Sequence, residues 1–342
     1  MNLKGFRLNF FNKIVFLLNF LLLLIAYSVY LNRFFAPSVL PYFNFISIGY
    51  SIVFVLVIFF FIYWLFVSWR HAIVIFILSL GVLNIFSLSY PIGFFKNKST
   101  EKPDLSVLSF NAHFLKDDGT DALILENKTD VMLFQEAYES NFRHIKEDLK
   151  NYYSEHYNLI AFYSKYPIIE TKQINFPEDS NRGIAAYIDI DTGKDTIRII
   201  NVYFEPMKID KGLVKSTIEA DNKDEVEVKT KKIENKLVAG MIRHEKQLKD
   251  IIPYIRNTKH PVILGSDLNS TPASYEYQQF NRYLIDSYLE VGSGNATTFH
   301  GFKFPIRIDY LFHSEDITPI DGHIIRKKFS DHYPVFVNYK LP

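Results

Sequence analysis

Hydrophobic residues are distributed very unevenly along this chain. Between Ile14 and Phe95 the only charged residues are Arg33 and Arg70, and they separate three apolar runs. Each run is about as long as a helix that crosses the hydrocarbon core of a bilayer, where a helix satisfies its own backbone hydrogen bonds. The pattern predicts a membrane region over residues 1–95, with three transmembrane helices at about 14–32, 44–68 and 72–89.

A cleaved signal peptide followed by an apolar soluble core is the alternative interpretation of this region. A signal peptide ends in a small-residue cleavage site, and no such site follows the first run. Three apolar runs in series also favour a membrane region, and with it the lipid bilayer as a partner.

The charges that flank the first run predict its orientation. Lys4, Arg7 and Lys13 precede it, and positive charges favour the cytoplasmic side of a membrane. Three crossings then place the chain after Ser89 on the periplasmic or extracytoplasmic side of what we expect to be a bacterial inner membrane. The lysines after the third run oppose this orientation; they are Lys96, Lys98 and Lys102.

Beyond a polar linker at 96–104, short apolar runs alternate with amphipathic segments across a predicted domain at 105–342. The runs predict strands at 105–110, 131–134, 159–163, 184–190, 196–203, 261–264, 307–312 and 335–339. Helices are predicted at 121–127, 141–149, 236–255 and 272–283. Residues 207–232 are rich in Lys, Asp and Glu, which is typical of a solvated face or a loose insertion. This order favours an α/β sandwich with sheets packed together and helices outside.

Charge and cysteine content narrow the functions open to this domain. Residues 103–342 contain 30 Lys and Arg against 36 Asp and Glu, a net charge of −6. Nucleic acid is therefore a disfavoured partner, because phosphate neutralisation supplies most of the affinity for duplex DNA. The absence of cysteine excludes disulfides, thiolate catalysis and cysteine-type zinc sites.

Polar clusters stand at the ends of five apolar runs. They are Ser109-Phe110-Asn111, Phe134-Gln135-Glu136, Gly265-Ser266-Asp267-Leu268-Asn269, Arg307-Ile308-Asp309-Tyr310 and Ser330-Asp331-His332. Because each puts acid, amide or imidazole side chains at a strand end, we interpret them as one convergent site for metal-dependent cleavage of a phosphate ester.

The residue types suit binding of a hard cation. Mg²⁺ is held by one or two carboxylates and keeps several waters. Glu136 is the best candidate ligand, because a lone carboxylate at the end of a buried strand would otherwise be costly. Asn111 offers a neutral oxygen beside it.

The same clusters contain candidates for the chemical step. Asp267 and Asn269 stand two apart, so in an extended segment both face the same side. One can orient the attacking water while the other holds a phosphoryl oxygen. His332 needs a carboxylate to set its tautomer and favour its charged form, and Asp309 is the candidate partner.

Each cluster also has a purely structural interpretation. Glu136 can be an ordinary surface residue after a strand, and the Asp267 to Asn269 segment can be a turn or a helix N-cap. Ser-Asp-His by itself is a weak motif. Four histidines outside the clusters are treated as structural or exposed; they are His113, His156, His300 and His323. The recurrence of five clusters in order, each at a strand end, favours the functional interpretation.

These segments resemble the motifs of the endonuclease/exonuclease/phosphatase superfamily, which includes deoxyribonuclease I, abasic endonucleases of the exonuclease III type, neutral sphingomyelinases and inositol polyphosphate 5-phosphatases. The segments that resemble the family motifs are residues 108–111, 130–136, 164–168, 263–272, 307–310 and 330–335. The resemblance implies a four-layer sandwich of two mixed β-sheets flanked by helices. It also implies Mg²⁺-dependent hydrolysis, with Mn²⁺ as an alternative metal.

The resemblance further implies a role for each matching metal-site residue. Glu136 would be the metal ligand, with Asn111 and Asp331 beside the ion.

It likewise implies roles for the residues of the chemical step. Asp267 would align or deprotonate the water, and Asn269 would contact the phosphate. Asp309 would orient His332, which would contact the scissile phosphate or transfer a proton.

Two positions depart from the family pattern. Tyr203 stands where many members have a histidine, although the abasic endonucleases also carry tyrosine there, and a phenol can still donate a hydrogen bond or proton. Ser266 stands where the family usually has glycine.

The sequence therefore predicts a membrane-anchored phosphoric ester hydrolase acting on nucleic acid, a phospholipid headgroup or a sugar phosphate, with no protein partner predicted. The alternative is a sensor or scaffold that keeps the fold and the metal site but has weak or no catalysis.

Overall fold

The computed structural model describes residues 8–91, 101–177, 183–207, 211–220, 222–301 and 306–342. Lys4, Arg7, Lys96 and Lys98 lie outside the described residues, as does most of the predicted linker at 96–104.

Three helices in the first quarter of the chain are long and apolar enough to cross a membrane. They are α1 (Phe10–Ser28), α3 (Tyr50–Val67) and α4 (Trp69–Ser87), and the short helix α2 (Tyr42–Ile48) precedes α3. The first continues as a 3-10 helix, Val29–Arg33. Trp64 is fully buried among the three, whereas Phe59 and Phe66 point outward and are 65% and 87% exposed. An apolar outer face is what a bundle presents to lipid.

The rest of the chain forms two six-stranded sheets. The strands are β1 (Leu105–Asn111), β2 (Val131–Gln135), β3 (Tyr153–Tyr157), β4 (Ile160–Ser164), β5 (Ile168–Ile174), β6 (Ile184–Asp191), β7 (Thr196–Tyr203), β8 (Val262–Asp267), β9 (Ile285–Asp286), β10 (Asp309–His313), β11 (Thr318–Ile324) and β12 (Val335–Lys340). The first sheet has the order β11-β12-β1-β2-β4-β3 and the second β5-β6-β7-β8-β10-β9. Both sheets are mixed, since β1 and β2 run parallel, as do β7 and β8.

A continuous apolar core lies between the two sheets, built from alternate residues such as Val107, Leu133, Ile199 and Ile263. Helices cover the outer faces. They are α5 (Thr120–Glu126), α6 (Lys211–Ile218), α7 (Lys223–Arg256), α8 (Tyr275–Phe280) and α9 (Ser287–Val291). The packing of Leu248 and Tyr277 on the second sheet and of Leu123 and Phe142 on the first completes four layers. The predicted four-layer fold, preceded by three apolar helices, is confirmed.

Several predicted elements differ from those observed. The charge-rich segment at 207–232 was predicted as a solvated face or a loose insertion, and its described part is exposed but helical, in α6 and the first turns of α7. Asn222 caps α7 by accepting a hydrogen bond from Asp224 N, and Lys229 pairs with Glu225 at 2.6 Å. Capping and pairs four residues apart stabilise a helix whose face is polar. The predicted helix at 141–149 is instead two short 3-10 segments.

Strands β3, β5, β9 and β11 were not predicted. They are the edge strands of the two sheets, and most positions of β3 and β5 are exposed or half-buried. A strand that buries few residues lacks the apolar alternation on which a sequence prediction depends.

The apolar helices pack against the sandwich through polar contacts at one edge. Asn32 Nδ2 donates to Ala273 O at 2.8 Å, and Thr271 Oγ1 donates to Ser47 O at 3.1 Å. Asn44 accepts from Tyr275 N at 2.8 Å. These contacts lie on the segment that leaves β8.

Candidate active site

The sheet topology brings the predicted site residues to one edge of the sandwich. The parallel pairs β1/β2 and β7/β8 both end there, so Asn111, Glu136, Tyr203 and Asp267 follow or end neighbouring strands. Asp309 begins the antiparallel strand β10, directly opposite Asp267 in the register. Residues from distant parts of the chain therefore meet because their strands pair.

Glu136 follows β2 in a left-handed backbone conformation, with φ of 47°. Residues other than glycine seldom adopt this region, and such positions cluster at functional sites. A hydrogen bond from Phe114 N to Glu136 O, at 2.7 Å, holds the backbone there. The half-buried carboxylate is thereby turned toward the strand ends rather than along β2.

The hydroxyl of Tyr203 donates to Glu136 Oε1 at 2.8 Å. Burial, followed by the carboxylates of Glu136 and Asp267, raises the pKa of Tyr203 well above that of an ordinary phenol, and Asp331 acts in the same direction. The phenol therefore keeps its proton and acts as a hydrogen-bond donor. Tyr203 also lies opposite Asp267 in the register of β7 and β8.

Asp267 is fully buried and held by two donors. Asn111 Nδ2 donates to its Oδ2 at 2.9 Å, and Asn269 N donates to its Oδ1 at 2.8 Å. Burial and the neighbouring Asp309 carboxylate raise the pKa of Asp267 to about 7, against the opposing effects of His332 and these hydrogen bonds.

His332 lies between two acids. Its Nδ1 is 2.9 and 3.0 Å from the two carboxylate oxygens of Asp309, and its Nε2 is 3.9 Å from Asp267 Oδ2. Burial disfavours the charged ring, but the two carboxylates outweigh it and raise the pKa of His332 to about 10. The ring is therefore an imidazolium at neutral pH, packed on Phe299 at 4.8 Å between centroids.

Asn269 and Asp331 lie on the rim of this cluster. Asn269 has φ of 48°, and its Nδ2 donates to Phe204 O at 2.9 Å. An amide nitrogen has two hydrogens, so this bond uses one of them. Asp331 is half-buried, and its carboxylate contributes to the raised pKa of His332. All eight predicted site residues thus lie at the same edge; their roles stay predictions.

A buried polar layer beneath the site received no role in the sequence prediction. Asn201 Nδ2 donates to Phe134 O and Ala161 O at 3.0 and 3.1 Å, which joins the second sheet to the first. Gln135 Nε2 donates to Asn201 Oδ1 at 2.7 Å. Amides inside otherwise apolar strands were the available signal. The layer ties the two sheets together directly below the site.

Thr298 is a further residue that the sequence prediction missed. Its Oγ1 accepts from the backbone nitrogens of Ile308 and Asp309, at 3.1 and 3.0 Å. It holds the start of β10 and therefore the carboxylate that contacts His332. No sequence signal marks it, since it lies far from any predicted strand end.

The donor set fits a hard divalent cation. Four carboxylates, those of Glu136, Asp267, Asp309 and Asp331, lie at the same edge of the sandwich as His332, and no lysine or arginine among the described residues pairs with them. Such an excess of negative charge in a largely buried site is what a cation offsets. Ligand atoms of Asp267, Asp309 and His332 lie within 4.8 Å of one another. Because Mg²⁺ prefers oxygen ligands to an imidazole nitrogen, the oxygen donors Glu136, Asn111 and Asp331 suit it better than a group that includes His332.

Ser266 does not disturb the site. It lies within β8, paired with Val202 and Tyr310 in the register, so its backbone is ordinary extended chain. Its Oγ is buried and makes no hydrogen bond among the described residues.

Comparison with known proteins extends these observations. The model of the "Endonuclease/Exonuclease/phosphatase family" matches residues 108–332, and a "Domain of unknown function (DUF8431)" matches residues 12–89. No curated protein matches the chain in sequence.

Solved structures with the same fold include three that superpose on about two thirds of the chain. An endonuclease/exonuclease/phosphatase from Bacteroides vulgatus has a TM-score of 0.54 at 16% identity, covering 70% of this chain and 99% of that one. Humanized D. rerio TDP2 has a TM-score of 0.51 at 14% identity, covering 69% and 98%. An endonuclease/exonuclease/phosphatase from Beutenbergia cavernae has a TM-score of 0.51 at 15% identity, covering 70% and 72%. At these identities the likeness establishes the fold.

Proposed function

This chain belongs to the endonuclease/exonuclease/phosphatase family, and from that membership we propose that it is a divalent-metal-dependent hydrolase of phosphoric esters, held at a membrane by its N-terminal helices. One observation carries the proposal. The Tyr203 phenol donates to Glu136 at 2.8 Å, and Tyr203 lies opposite Asp267 in the β7–β8 register. Asp267 Oδ2 in turn lies 3.9 Å from His332 Nε2, so direct contacts connect acid and imidazole side chains from distant parts of the chain.

The metal site in this proposal consists of Glu136, Asn111 and Asp331, with Mg²⁺ as the favoured ion and Mn²⁺ as the alternative. The ion, when bound, offsets charge on the phosphoryl oxygens and lowers the pKa of a bound water. Tyr203 holds one oxygen of Glu136, so the other is free to face the ion's side of the site.

The remaining residues orient the reacting groups. In this proposal Asp267, which hydrogen-bonds to Asn111 and to the backbone of Asn269, aligns the attacking water. The second amide hydrogen of Asn269 binds a phosphoryl oxygen. The His332 imidazolium, which contacts Asp309, stabilises negative charge that develops on the phosphate.

The first test is a substrate panel for the full-length protein in detergent with Mg²⁺. Nucleic acids, phospholipids and sugar phosphates are offered to the wild type and to Glu136→Gln. We expect Glu136→Gln to lose roughly 10³-fold in rate, because a bound metal ion supplies several kcal/mol of transition-state stabilisation. We also expect the affinity of Glu136→Gln for Mg²⁺, measured by calorimetry, to fall.

Glu139→Gln is the matched control, an exposed glutamate three residues along the same segment. It should retain the wild-type rate. If the wild type cleaves nothing in the panel, or if Glu136→Gln and the wild type behave alike, the hydrolase proposal is wrong. Tight Mg²⁺ binding without turnover would favour the sensor or scaffold instead.

A further inference from the structure

We propose that the phosphate ester this site cleaves is carried by a membrane lipid rather than by a water-soluble molecule. The inference rests on the proposed function and adds the substrate class. It depends on where the apolar helices meet the sandwich.

The two segments that flank the central site carboxylates both contact the same end of the helix bundle. The segment after β8 begins at Asp267, and four residues later Thr271 donates to Ser47 O, just before α3 begins. The segment before β10 ends at Asp309, and two residues earlier Arg307 Nη1 donates to Leu88 O at 2.8 Å, just after α4 ends. The site edge of the sandwich is therefore the edge that the helices hold.

Further contacts fix the second segment to the same end of the bundle. Ala296 N donates to Ser89 O at 2.9 Å, and Gly294 N donates to Pro91 O at 3.0 Å. Arg307 is fully buried and also donates to Asp286 Oδ1 at 2.7 Å. Buried contacts on both flanks define the position of the site relative to the helix ends.

Side chains between α1 and α3 indicate where the bilayer surface lies. Phe34, Val39 and Tyr42 are 70%, 66% and 57% exposed, although they lie outside the long apolar helices. Exposed aromatic residues at a helix end are typical of the headgroup region of a membrane. Ser38, within the same segment, donates its backbone N–H to Glu245 Oε2 at 3.0 Å. The segment therefore contacts headgroups and sandwich together.

Chain length then places the site near the headgroup layer. Each residue spans at most about 3.5 Å, so Asp267 lies within roughly 14 Å of Thr271 and Asp309 within roughly 7 Å of Arg307. The opposite edge of the sandwich, at the turn between β6 and β7, lies about 26 Å along β7 from the site edge, the length of eight residues of strand. Lipid phosphates occupy the layer nearest the site edge.

This geometry favours a lipid substrate on kinetic grounds. A site held beside the bilayer meets lipid phosphates at a high effective concentration without a diffusional search. A nucleic acid would instead have to enter between the bilayer and a domain whose net charge is −6.

Turnover of matched substrate pairs tests the inference. Full-length protein is reconstituted in nanodiscs of phosphatidylethanolamine and phosphatidylglycerol with Mg²⁺. The pairs are phosphatidylglycerol with glycerophosphoglycerol, phosphatidylethanolamine with glycerophosphoethanolamine, and phosphatidic acid with glycerol 3-phosphate. Each pair shares a headgroup and differs in the acyl chains. We expect the lipid of at least one pair to be hydrolysed 100-fold or more faster than its deacylated partner, with Glu136→Gln inactive on both.

Comparable rates on the two members of every cleaved pair would overturn the lipid assignment. So would cleavage confined to soluble esters or nucleic acid. Absence of turnover by the wild type on every compound would instead overturn the hydrolase proposal, and the substrate assignment with it.

A depth measurement gives a readout that does not depend on activity. The chain has no cysteine, so Tyr138→Cys and Lys194→Cys each provide a single attachment point for a fluorescent donor. Tyr138 is exposed two residues past Glu136, and Lys194 is exposed in the turn at the opposite edge. We expect markedly stronger energy transfer from position 138 to headgroup-labelled acceptor lipid. Equal transfer from both positions, or stronger transfer from 194, would exclude a site that faces the bilayer while leaving the hydrolase proposal intact.

Discussion

The hydrogen bond from Tyr203 helps to fix the orientation of the Glu136 carboxylate. The buried phenol of Tyr203 donates to Glu136 Oε1 at 2.8 Å. The raised pKa of Tyr203 keeps that donor protonated. Within the proposed function, Tyr203 would therefore act through the carboxylate, because its hydroxyl already donates to Glu136.

Substituting Tyr203 tests this positioning role. Tyr203→Phe removes the donor without changing the ring, and loss of a partner to a metal ligand typically lowers metal affinity or activity by 10–100-fold. We expect Mg²⁺ affinity by calorimetry and kcat/KM to fall together within about that range.

Tyr187→Phe is the matched control, because it also loses a tyrosine–glutamate hydrogen bond, to Glu170, at a distance from the site. It should retain both values. Unchanged Mg²⁺ affinity in Tyr203→Phe would show that Glu136 does not depend on the phenol.

His313 predicts a pH dependence of stability that is separate from the site. Burial lowers the pKa of His313 to about 4, against the opposing charges of Asp286 and Asp316. Its Nδ1 lies 2.9 Å from Ser287 Oγ, and its Nε2 lies 3.4 Å from Glu290. An unfolded histidine takes up a proton near pH 6.5, whereas the folded one does so only near pH 4.

Between pH 6.5 and 4 the unfolded state therefore binds more protons, and stability falls as the pH falls. The contribution of neutral His313 to the free energy of unfolding is complete above pH 6.5, and about 3 kcal/mol of it is lost by pH 4. We expect the thermal midpoint of the full chain to fall less over this range in His313→Gln than in the wild type. The exposed His323→Gln should follow the wild type; equal slopes in all three would contradict the prediction.

At the scale of elements, Arg307 joins the end of α4 to the start of β10. Its guanidinium donates to Leu88 O and to Asp286 Oδ1, and it stacks over the Tyr310 ring at 4.8 Å. A cation at the C-terminal end of a helix also interacts favourably with the helix dipole. One side chain thus connects an apolar helix to the strand that carries Asp309.

Removing this guanidinium should destabilise the whole chain. Arg307→Met leaves the Asp286 carboxylate buried without its cation, which typically costs about 3–5 kcal/mol. We expect a clearly lower thermal midpoint of the full-length protein in detergent. Arg282→Met provides the control, because Arg282 is exposed and donates to Arg33 O at the same interface; exposed substitutions usually change stability by about 0.5 kcal/mol or less. Equal midpoints for the two variants would mean that the Arg307 contacts contribute little.

At the scale of the molecule, three apolar helices and a four-layer sandwich share one polar interface. The 3-10 segment after α1 contributes Asn32 to it, α2 contributes Asn44 and Ser47, and the sandwich contributes the segment after β8. Buried polar contacts of this kind specify a single arrangement, because any slip leaves donors unsatisfied. The site edge and the helix ends are consequently held together.

The orientation of the chain in the membrane is open to a direct test. Three crossings and the positive charges before α1 predict a cytoplasmic N-terminus and a sandwich on the far side. Alkaline phosphatase, active only outside the cytoplasm, should be active when fused after residue 100 and inactive when fused after Arg70. Green fluorescent protein should give the reverse pattern, and its fluorescence after residue 100 would overturn the orientation.

The parts of the fold that could be predicted are the strands that bury apolar side chains along most of their length. Strands β1, β2, β4, β6, β7, β8, β10 and β12 were predicted within a few residues, because their apolar runs stand out between polar turns. Edge strands such as β5 bury too little to leave that pattern. Polar helices such as α6 are stabilised by side-chain pairs and caps. A charge-rich sequence does not show whether the segment forms such a helix or a loop. The site residues were located through strand ends and motif order. The hydrogen bonds between Asn201 and Gln135, and those that Thr298 accepts from Ile308 and Asp309, were not predicted.

The sequence by itself determined the apolar first quarter, the acidic remainder, the strands of the core and the residue types at their ends, because these depend on local composition and periodicity. Tertiary structure decided which strand ends meet, since parallel pairing and the Asp309–Asp267 register join residues far apart in the chain. It also decided that the helices pack at the site edge. That choice depends on hydrogen bonds between segments separated by more than two hundred residues, which no local pattern encodes.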